Sequence, residues 1–323
     1  MTNLLITGGA GFIGSHFVEH MLDSDFHDFE QLIILDLLTY SGRRANIAHL
    51  EINPRIKFIQ GDIADRELVQ KILKNENISS IVNFAAESHV DRSIKATTPF
   101  VHSNIMGVAN LLECFKEECG GKFVQVSTDE VYGSIAQGSW DENEPLSPNS
   151  PYSATKAGAD LLAMSFHRTY GLDLNITRCS NNYGPRQFPE KIIPLFITNL
   201  IQDKKLPLYG TGNNVRDWIY VSDHCEAIRL VLMSGVKGEI YNIGGHHEVT
   251  NLDLTSMILE EFGQNENMIE LVEDRLGHDY RYSVDDSKIR KSLGFRNSMQ
   301  FADGIVKTID WYRKNVQWWS VLK

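Results

Sequence analysis

Gly8-Gly9-Ala10-Gly11-Phe12-Ile13-Gly14 follows a short apolar run at residues 4–7, and its reading decides the fold. Gly8, Gly11 and Gly14 keep the spacing G-x-x-G-x-x-G, and counting from Gly9 gives G-x-G-x-x-G. Glycines so placed between a strand and a helix allow a tight turn. They also let backbone N–H groups approach a pyrophosphate at the helix N-terminus. A glycine triplet alone means little, but here Asp36 ends the second apolar run. An acid there accepts hydrogen bonds from adenosine ribose hydroxyls and repels a 2′-phosphate. NAD is therefore favoured over NADP, although Arg43 and Arg44 stand close enough in sequence to keep NADP open. Asp62 and Ile63 follow the third run, where they could flank adenine; Asp62 could equally cap a helix.

Working outward, apolar runs recur at 4–7, 32–36, 56–60, 81–84, 123–127 and 174–178, with helical patterns at 12–22, 65–74, 99–118 and 152–170. Continuous apolar strands are buried on both faces, and the alternation predicts an α/β fold with a doubly wound parallel sheet of Rossmann type. The chain has 323 residues, more than the ~250–300 at which one core stops growing, so two lobes are expected. Residues 1–180 would bind the dinucleotide, with 217–247 and 300–315 returning to that domain. Residues 181–216 and 248–299 would form a smaller, discontinuous α/β lobe for the substrate. Trp311, Trp318 and Trp319 in the tail are expected to pack against the body.

The net charge of −11 argues against general affinity for nucleic acid or anionic membranes. No apolar run reaches the ~18 residues of a membrane span, and Met1 to Ile6 leaves no room for a secretion leader. Cys114, Cys119, Cys179 and Cys225 show no metal-binding spacing and read as reduced thiols. A soluble cytoplasmic protein without a metal is expected.

The chemistry is written in two stretches. Val126-Ser127-Thr128-Asp129-Glu130-Val131-Tyr132-Gly133 ends the fifth run, and Tyr152-Ser153-Ala154-Thr155-Lys156 opens a helix. Tyr152 and Lys156, four apart, share a helix face. An ammonium there would lower the phenol pKa from about 10 toward neutrality, so that it can take a proton from a hydroxyl. Hydride transfer needs the tyrosine, the lysine and the glycines, but not an adjacent acid and base. Asp129 and Glu130 therefore indicate a second reaction, and removal of water suits such a pair. Arg216 and Arg275 are the cations expected on a diphosphate, whose geometry guanidinium groups match.

With Thr128, Tyr152 and Lys156 matching its triad, the chain resembles an extended short-chain dehydrogenase/reductase. The likeness narrows to the nucleotide-sugar branch. Ala85-Ala86-Glu87-Ser88-His89-Val90-Asp91-Arg92-Ser93, Arg178-Cys179-Ser180-Asn181-Asn182-Tyr183-Gly184-Pro185, Asn214-Val215-Arg216-Asp217-Trp218 and Asp274-Arg275-Leu276-Gly277-His278-Asp279, with the two stretches above, are similar to the dTDP-glucose 4,6-dehydratase family. The sequence departs from that pattern at Arg43-Arg44, at Leu276 in place of a proline, and at Ser103 in place of a threonine.

The resemblance implies that Tyr152 takes the proton of the sugar 4-hydroxyl while NAD accepts the C4 hydride. Glu130 then removes the C5 proton, Asp129 protonates the departing 6-hydroxyl, and the hydride returns to C6. It further implies that Gly8, Gly11, Phe12, Ile13, Gly14, Asp36, Thr39, Asp62, Ile63, Phe84, Ala85, Ala86, Ser88, Ser103, Tyr152, Lys156 and Asn182 surround NAD. Ser88, Thr128, Asn181, Lys191, Ile192, Pro207, Tyr209, Arg216, Asn251, Arg275 and His278 would hold the nucleotide-diphosphate sugar, with Lys191-Ile192 and Pro207-Leu208-Tyr209 lining a thymine pocket. A homodimer through the helices at 99–118 and 152–170 is implied as well. Three alternatives stay open: a 4,6-dehydratase of another nucleotide hexose, a UDP-sugar 4-epimerase or decarboxylase, and a non-catalytic dinucleotide sensor.

Overall fold

The computed structural model describes residues 2–23 and 29–323. Strands β1 (Thr2–Thr7), β2 (Phe29–Asp36), β3 (Ile56–Gln60), β4 (Ile78–Asn83), β5 (Phe123–Thr128) and β6 (Leu174–Cys179) form one parallel sheet. Helices α1 (Phe12–Asp23), α2 (Arg66–Asn75), α3 (Val90–Lys95), α4 (Thr98–Phe100), α5 (Val108–Glu118) and α6 (Pro151–Tyr170) alternate with them. Beyond β6 come β7 (Asn181–Tyr183), α7 (Ile192–Ile201), β8 (Leu206–Tyr209), β9 (Val215–Tyr220), α8 (Val221–Ser234) and β10 (Ile240–Ile243). The chain ends with β11 (Glu248–Thr250), α9 (Asn251–Glu261), β12 (Ile269–Val272), α10 (Ser287–Leu293), α11 (Phe301–Lys314) and α12 (Val316–Trp319).

The main sheet has seven strands in the order β10-β6-β5-β4-β1-β2-β3, so the winding reverses between β1 and β4. The inner strands are largely apolar on both faces because helices cover both. Leu4 and Ile6 join a core with Phe17 and Val18 of α1 and Val231 of α8. Leu5 points the other way, into a core with Val69 of α2, Leu111 of α5 and Ala159 of α6. The carboxyl ends of β1 and β4 part at the reversal, which is where open α/β sheets bind ligands.

A smaller lobe combines the sheet β11-β9-β7 with the pair β12-β8. Two sequence expectations are corrected there. Residues 300–315 do not return to the dinucleotide domain: Phe301, Ile305, Ile309 and Tyr312 of α11 share a core with Phe196 of α7 and Leu254 of α9. Residues 217–220 form the end of β9, which pairs in the small-lobe sheet, although Ile219 packs into the dinucleotide-domain core with α8 and β10. Conversely Ile289 of α10 and Phe295, both within 248–299, pack on the dinucleotide domain. An amphipathic pattern shows that a face is buried, but not which lobe buries it. The tail packs as expected, with Trp319 buried and Trp318 Nε1 donating to Asn46 Oδ1 at 3.0 Å.

The helix expected over 99–118 arrives in three pieces, because residues Val101–Gly107 wind as a π-helical turn between α4 and α5. The wider turn carries Asn104 inward. Its Oδ1 accepts from Glu87 N at 2.9 Å, and its Nδ2 donates to Thr155 Oγ1 at 2.9 Å. The segment before α3 and the first turns of α6 are thereby tied together.

Candidate active site

The glycine stretch turns between β1 and α1. Gly8 has φ +66°, and a Cβ there would stand 2.6 Å from Ala85 N, while one at Gly14 would stand 2.3 Å from Gly8 O. Neither position admits a side chain, so the α1 N-terminus opens onto bare backbone. Asp36, at the end of β2, accepts from Ala10 N at 2.9 Å and from Leu38 N at 2.8 Å. Its carboxyl lines the cleft, and burial pushes it above the usual carboxylate range. Arg43 and Arg44 do not line that cleft: Arg43 lies over the Trp318 ring and Arg44 pairs with Glu51 at 2.9 Å. Asp62 is not the helix cap, a role taken by Asp65, whose side chain accepts from Leu68 N. Asp62 Oδ2 meets His102 Nε2 at 2.9 Å.

A cleft of about 660 Å³ runs along the carboxyl ends of the strands. Every residue expected around the dinucleotide, from Gly8 to Asn182, lines it, and so do Thr128, Asp129 and Glu130. A second recess of about 190 Å³ opens toward the small lobe. Asn181, Lys191, Ile192, Pro207, Tyr209, Arg216, Asn251, Arg275 and His278 line the recess, whereas Ser88 and Thr128 stay on the cleft. Cleft and recess meet at Glu130, Asn181, Asn182, Gln187, Glu190 and Lys191.

Ser150 caps α6 reciprocally with Ser153, and Pro151 takes the first helical position, which sets Tyr152 in the opening turn. The Tyr152 hydroxyl meets Thr128 at the end of β5. Burial and then the Glu130 charge hold its phenol well above the ordinary value. The sequence expectation has Lys156 drawing this phenol toward neutrality; burial and the Glu130 charge act in the opposite direction. Lys156 Nζ donates to Val126 O at 2.7 Å, and burial lowers its own pKa against the pull of Asp160.

Asp129 and Glu130 follow Thr128 in a short 3₁₀ turn, where the Thr128 hydroxyl accepts from Glu130 N. Their environments differ. Asp129 is buried, Thr128 Oγ1 donates to its Oδ1 at 3.3 Å, and its Oδ2 has no hydrogen-bond partner. Burial, Glu130 and Asp217 together push this carboxyl well above the carboxylate range. Glu130 is also raised by burial, but Arg275, Lys191 and Arg216 pull it back down. Two adjacent carboxyls in surroundings this different can divide into an acid and a base.

In the recess, Arg275 comes within 4.0 Å of Asp91, and its Nε is buried without a partner. Arg216 gives Nη1 to Val215 O at 2.7 Å and Nη2 to Asp279 O at 2.9 Å, and its guanidinium lies 4.5 Å from the Tyr282 ring centroid. Much of its donor fork is spent on backbone, so it offers the recess mainly charge. Lys191 Nζ donates to Ser88 O at 3.0 Å, and His278 Nδ1 meets Asp274 Oδ1 at 2.6 Å.

A sequence model of the family described as GDP-mannose 4,6 dehydratase matches residues 5–308. A protein of Actinoplanes sp. named dTDP-glucose 4,6-dehydratase is 51% identical over 98% of this chain and 99% of its own length. The chain belongs to the GDP-mannose 4,6 dehydratase family. The crystal structure of DesIV, a dTDP-glucose 4,6-dehydratase of Streptomyces venezuelae with NAD and TYD bound, aligns with TM-score 0.97 at 53% identity over 100% of both chains. A UDP-glucuronic acid 4-epimerase of Bacillus cereus aligns with TM-score 0.90, but at 29% identity, over 97% of this chain and 99% of its own.

Some residues at this family site carried no sequence signal. His224 is buried in α8, where burial lowers its pKa to about 3, and its Nδ1 meets Asn182 Oδ1 at 2.9 Å. It fixes which way the Asn182 amide faces the cleft. Asp279 accepts from Asn149 Nδ2 and Tyr282 Oη, each at 2.5 Å. Both Asp279 and Asp217 stood in the quoted stretches without a role, because only the folded chain shows what they face.

Proposed function

We propose that the chain is an NAD-dependent hydro-lyase, a dTDP-glucose 4,6-dehydratase that converts dTDP-glucose to dTDP-4-keto-6-deoxyglucose. The observation that carries this reading is the pair Asp129 and Glu130 on the cleft with Tyr152, Glu130 standing where the cleft meets the recess. Oxidation at C4 alone would need no second acid and base. The full-length identity to proteins of that name supports the same substrate.

The residues present fit NAD: bare backbone at Gly8 and Gly14 for the pyrophosphate, and the Asp36 carboxyl for the ribose. Bound there, NAD supplies a hydride acceptor for C4 and later a hydride donor for C6. Tyr152 takes the proton of the 4-hydroxyl once its phenol is ionised, and Thr128 orients that phenol. The positive charge that oxidised nicotinamide would bring to the cleft would favour this ionisation against the burial. The resulting 4-ketone acidifies the C5 proton, which Glu130 removes and later returns to C5 as hydride adds at C6. Asp129 delivers its proton to the 6-hydroxyl, which leaves as water. Arg216 and Arg275 hold the diphosphate, while Lys191, Ile192, Pro207 and Tyr209 line the base pocket.

Leu161 and Tyr170 on α6 and Met106 on the π-helical turn are exposed, which supports a homodimer through these helices. Sedimentation equilibrium of the wild type beside Leu161→Glu checks this, and a wild-type monomer sinks it. Among the described residues no helix is long and apolar enough to cross a membrane. The four free cysteines accord with a cytoplasmic location.

Purified protein given dTDP-, UDP-, CDP- and GDP-hexoses in turn should release a 4-keto-6-deoxy product from dTDP-glucose. Product from another nucleotide only would move the base assignment. A 4-epimer with no loss of water would overturn the dehydratase reading.

A further inference from the structure

Asp217 is buried on β9, outside both cleft and recess, yet every polar contact recorded for its side chain is a donor aimed at its carboxylate. Ser180 Oγ donates to Oδ2 at 2.6 Å, Gly245 N to Oδ2 at 2.7 Å, and His247 N to Oδ1 at 2.6 Å. All three partners donate, so a carboxylate at Asp217 accepts from each of them. Topology sets this anion beside the reacting turn. Thr128 and Cys179 are paired at the ends of β5 and β6, and Ser180, next along, holds Asp217 directly. Asp129, the residue after Thr128, keeps a buried Oδ2 that nothing partners.

We infer that Asp217 is a positioning residue for the elimination: its caged charge keeps the proton on Asp129 until the 6-hydroxyl departs. Other groups also face Asp129. Glu130 on the same turn and Asp217 favour the protonated acid, whereas Arg216, beside Asp217 on β9, favours the anion. Tyr152 of α6 and the Cys179 thiol lie near it as well, and Lys156 stands against that thiol. On the far side Asp217 faces His246 and His247. Arg216 is needed for an anionic substrate, but its charge would tend to ionise the acid. Asp217 offsets that pull from the neighbouring position on the strand. The stretch Arg216-Asp217 then serves both binding and acidity.

The inference rests on the dehydratase reading, so the test separates the two. Infrared spectra give the carbonyl band of a protonated carboxylic acid, assigned to Asp129 by subtracting the Asp129→Asn spectrum, with no substrate present. In the wild type the band should persist at pH 7. In Asp217→Asn it should vanish about one pH unit or more lower, while Asp217→Glu, which keeps the charge, should titrate as the wild type does. Asp217→Ser carries the same expectation as Asn if the amide cannot be accommodated. In turnover, the basic limb of the dehydration rate should move down with the band, and KM for the nucleotide sugar should stay put. A purely structural role would leave the Asp129 titration unmoved. Equal titration in the wild type and both uncharged variants overturns the inference, as does a wild-type Asp129 already ionised at pH 7. Absence of 4-keto-6-deoxy product from every nucleotide hexose would instead sink the dehydratase reading and leave the infrared result standing.

Discussion

At the scale of single residues, the chemistry divides between proton transfer at C4 and proton transfer across C5 and C6. Tyr152→Phe removes the C4 base and should lower turnover roughly 10²–10⁴-fold. Stopped-flow absorbance of the reduced nicotinamide on adding substrate reads this, and an unchanged rate would strip Tyr152 of its role. Asp129→Asn keeps the shape but not the proton. It should still oxidise at C4, so that absorbance builds up while the 6-deoxy product lags. Glu130→Gln should also suppress deuterium exchange from solvent into C5. If both variants block C4 oxidation as fully as Tyr152→Phe does, the pair serves C4 or the fold instead. The Asp129 carboxyl also has a consequence for stability. Its folded pKa lies above the unfolded one, so the unfolded chain ionises first as pH rises. Stability is then lost between the two values. Asp129→Asn should therefore melt higher than the wild type at pH 7 and show little gain near pH 4. Most of these residues were legible because side-chain chemistry fixes their spacing along the chain. The burial around Tyr152 was not, since it depends on what covers the phenol, nor was the hydrogen bond from Lys156 Nζ to Val126 O.

At the scale of elements, the strands and the cofactor loop were readable because apolar runs buried on both faces leave a plain signature. Val101–Gly107 left none. A π-helical turn differs from an α-helical one by a single residue per turn, and seven residues are too few for periodicity to tell them apart. Yet that turn places Asn104, which ties Glu87 to Thr155 on the helix carrying Tyr152 and Lys156. Asn104→Ala strips partners from both groups. Each buried donor or acceptor left unsatisfied costs about 1–3 kcal/mol, so the variant should unfold at clearly lower denaturant. Asn104→Asp keeps the acceptor for Glu87 N and should recover part of the loss. If Asn104→Ala matches the wild type in urea titration, water replaces the amide and the turn has another cause.

At the scale of the whole molecule, the two cores of the large domain and that of the small lobe draw largely on separate helices, and the sequence could not assign α11 because amphipathicity does not name its partner. The division has a thermodynamic consequence. The dinucleotide cleft is built largely on the parallel sheet, whereas the recess draws Pro207, Tyr209, Asn251, Arg275 and His278 from the far side. A ligand at 100 times its Kd stabilises the state that binds it by about 2.7 kcal/mol. NAD and dTDP should each raise the melting temperature, and NADP should raise it much less, because Asp36 occupies the place of a 2′-phosphate. Gly14→Ala forces a Cβ to within 2.3 Å of Gly8 O and distorts the loop, so it should abolish the NAD shift and keep the dTDP shift. Arg275→Ala, in the recess, should do the reverse. Differential scanning fluorimetry of both variants with each ligand decides the matter. Should Arg275→Ala erase the NAD shift, or Gly14→Ala the dTDP shift, cleft and recess form one energetic unit, and the reading of two independently built halves is wrong.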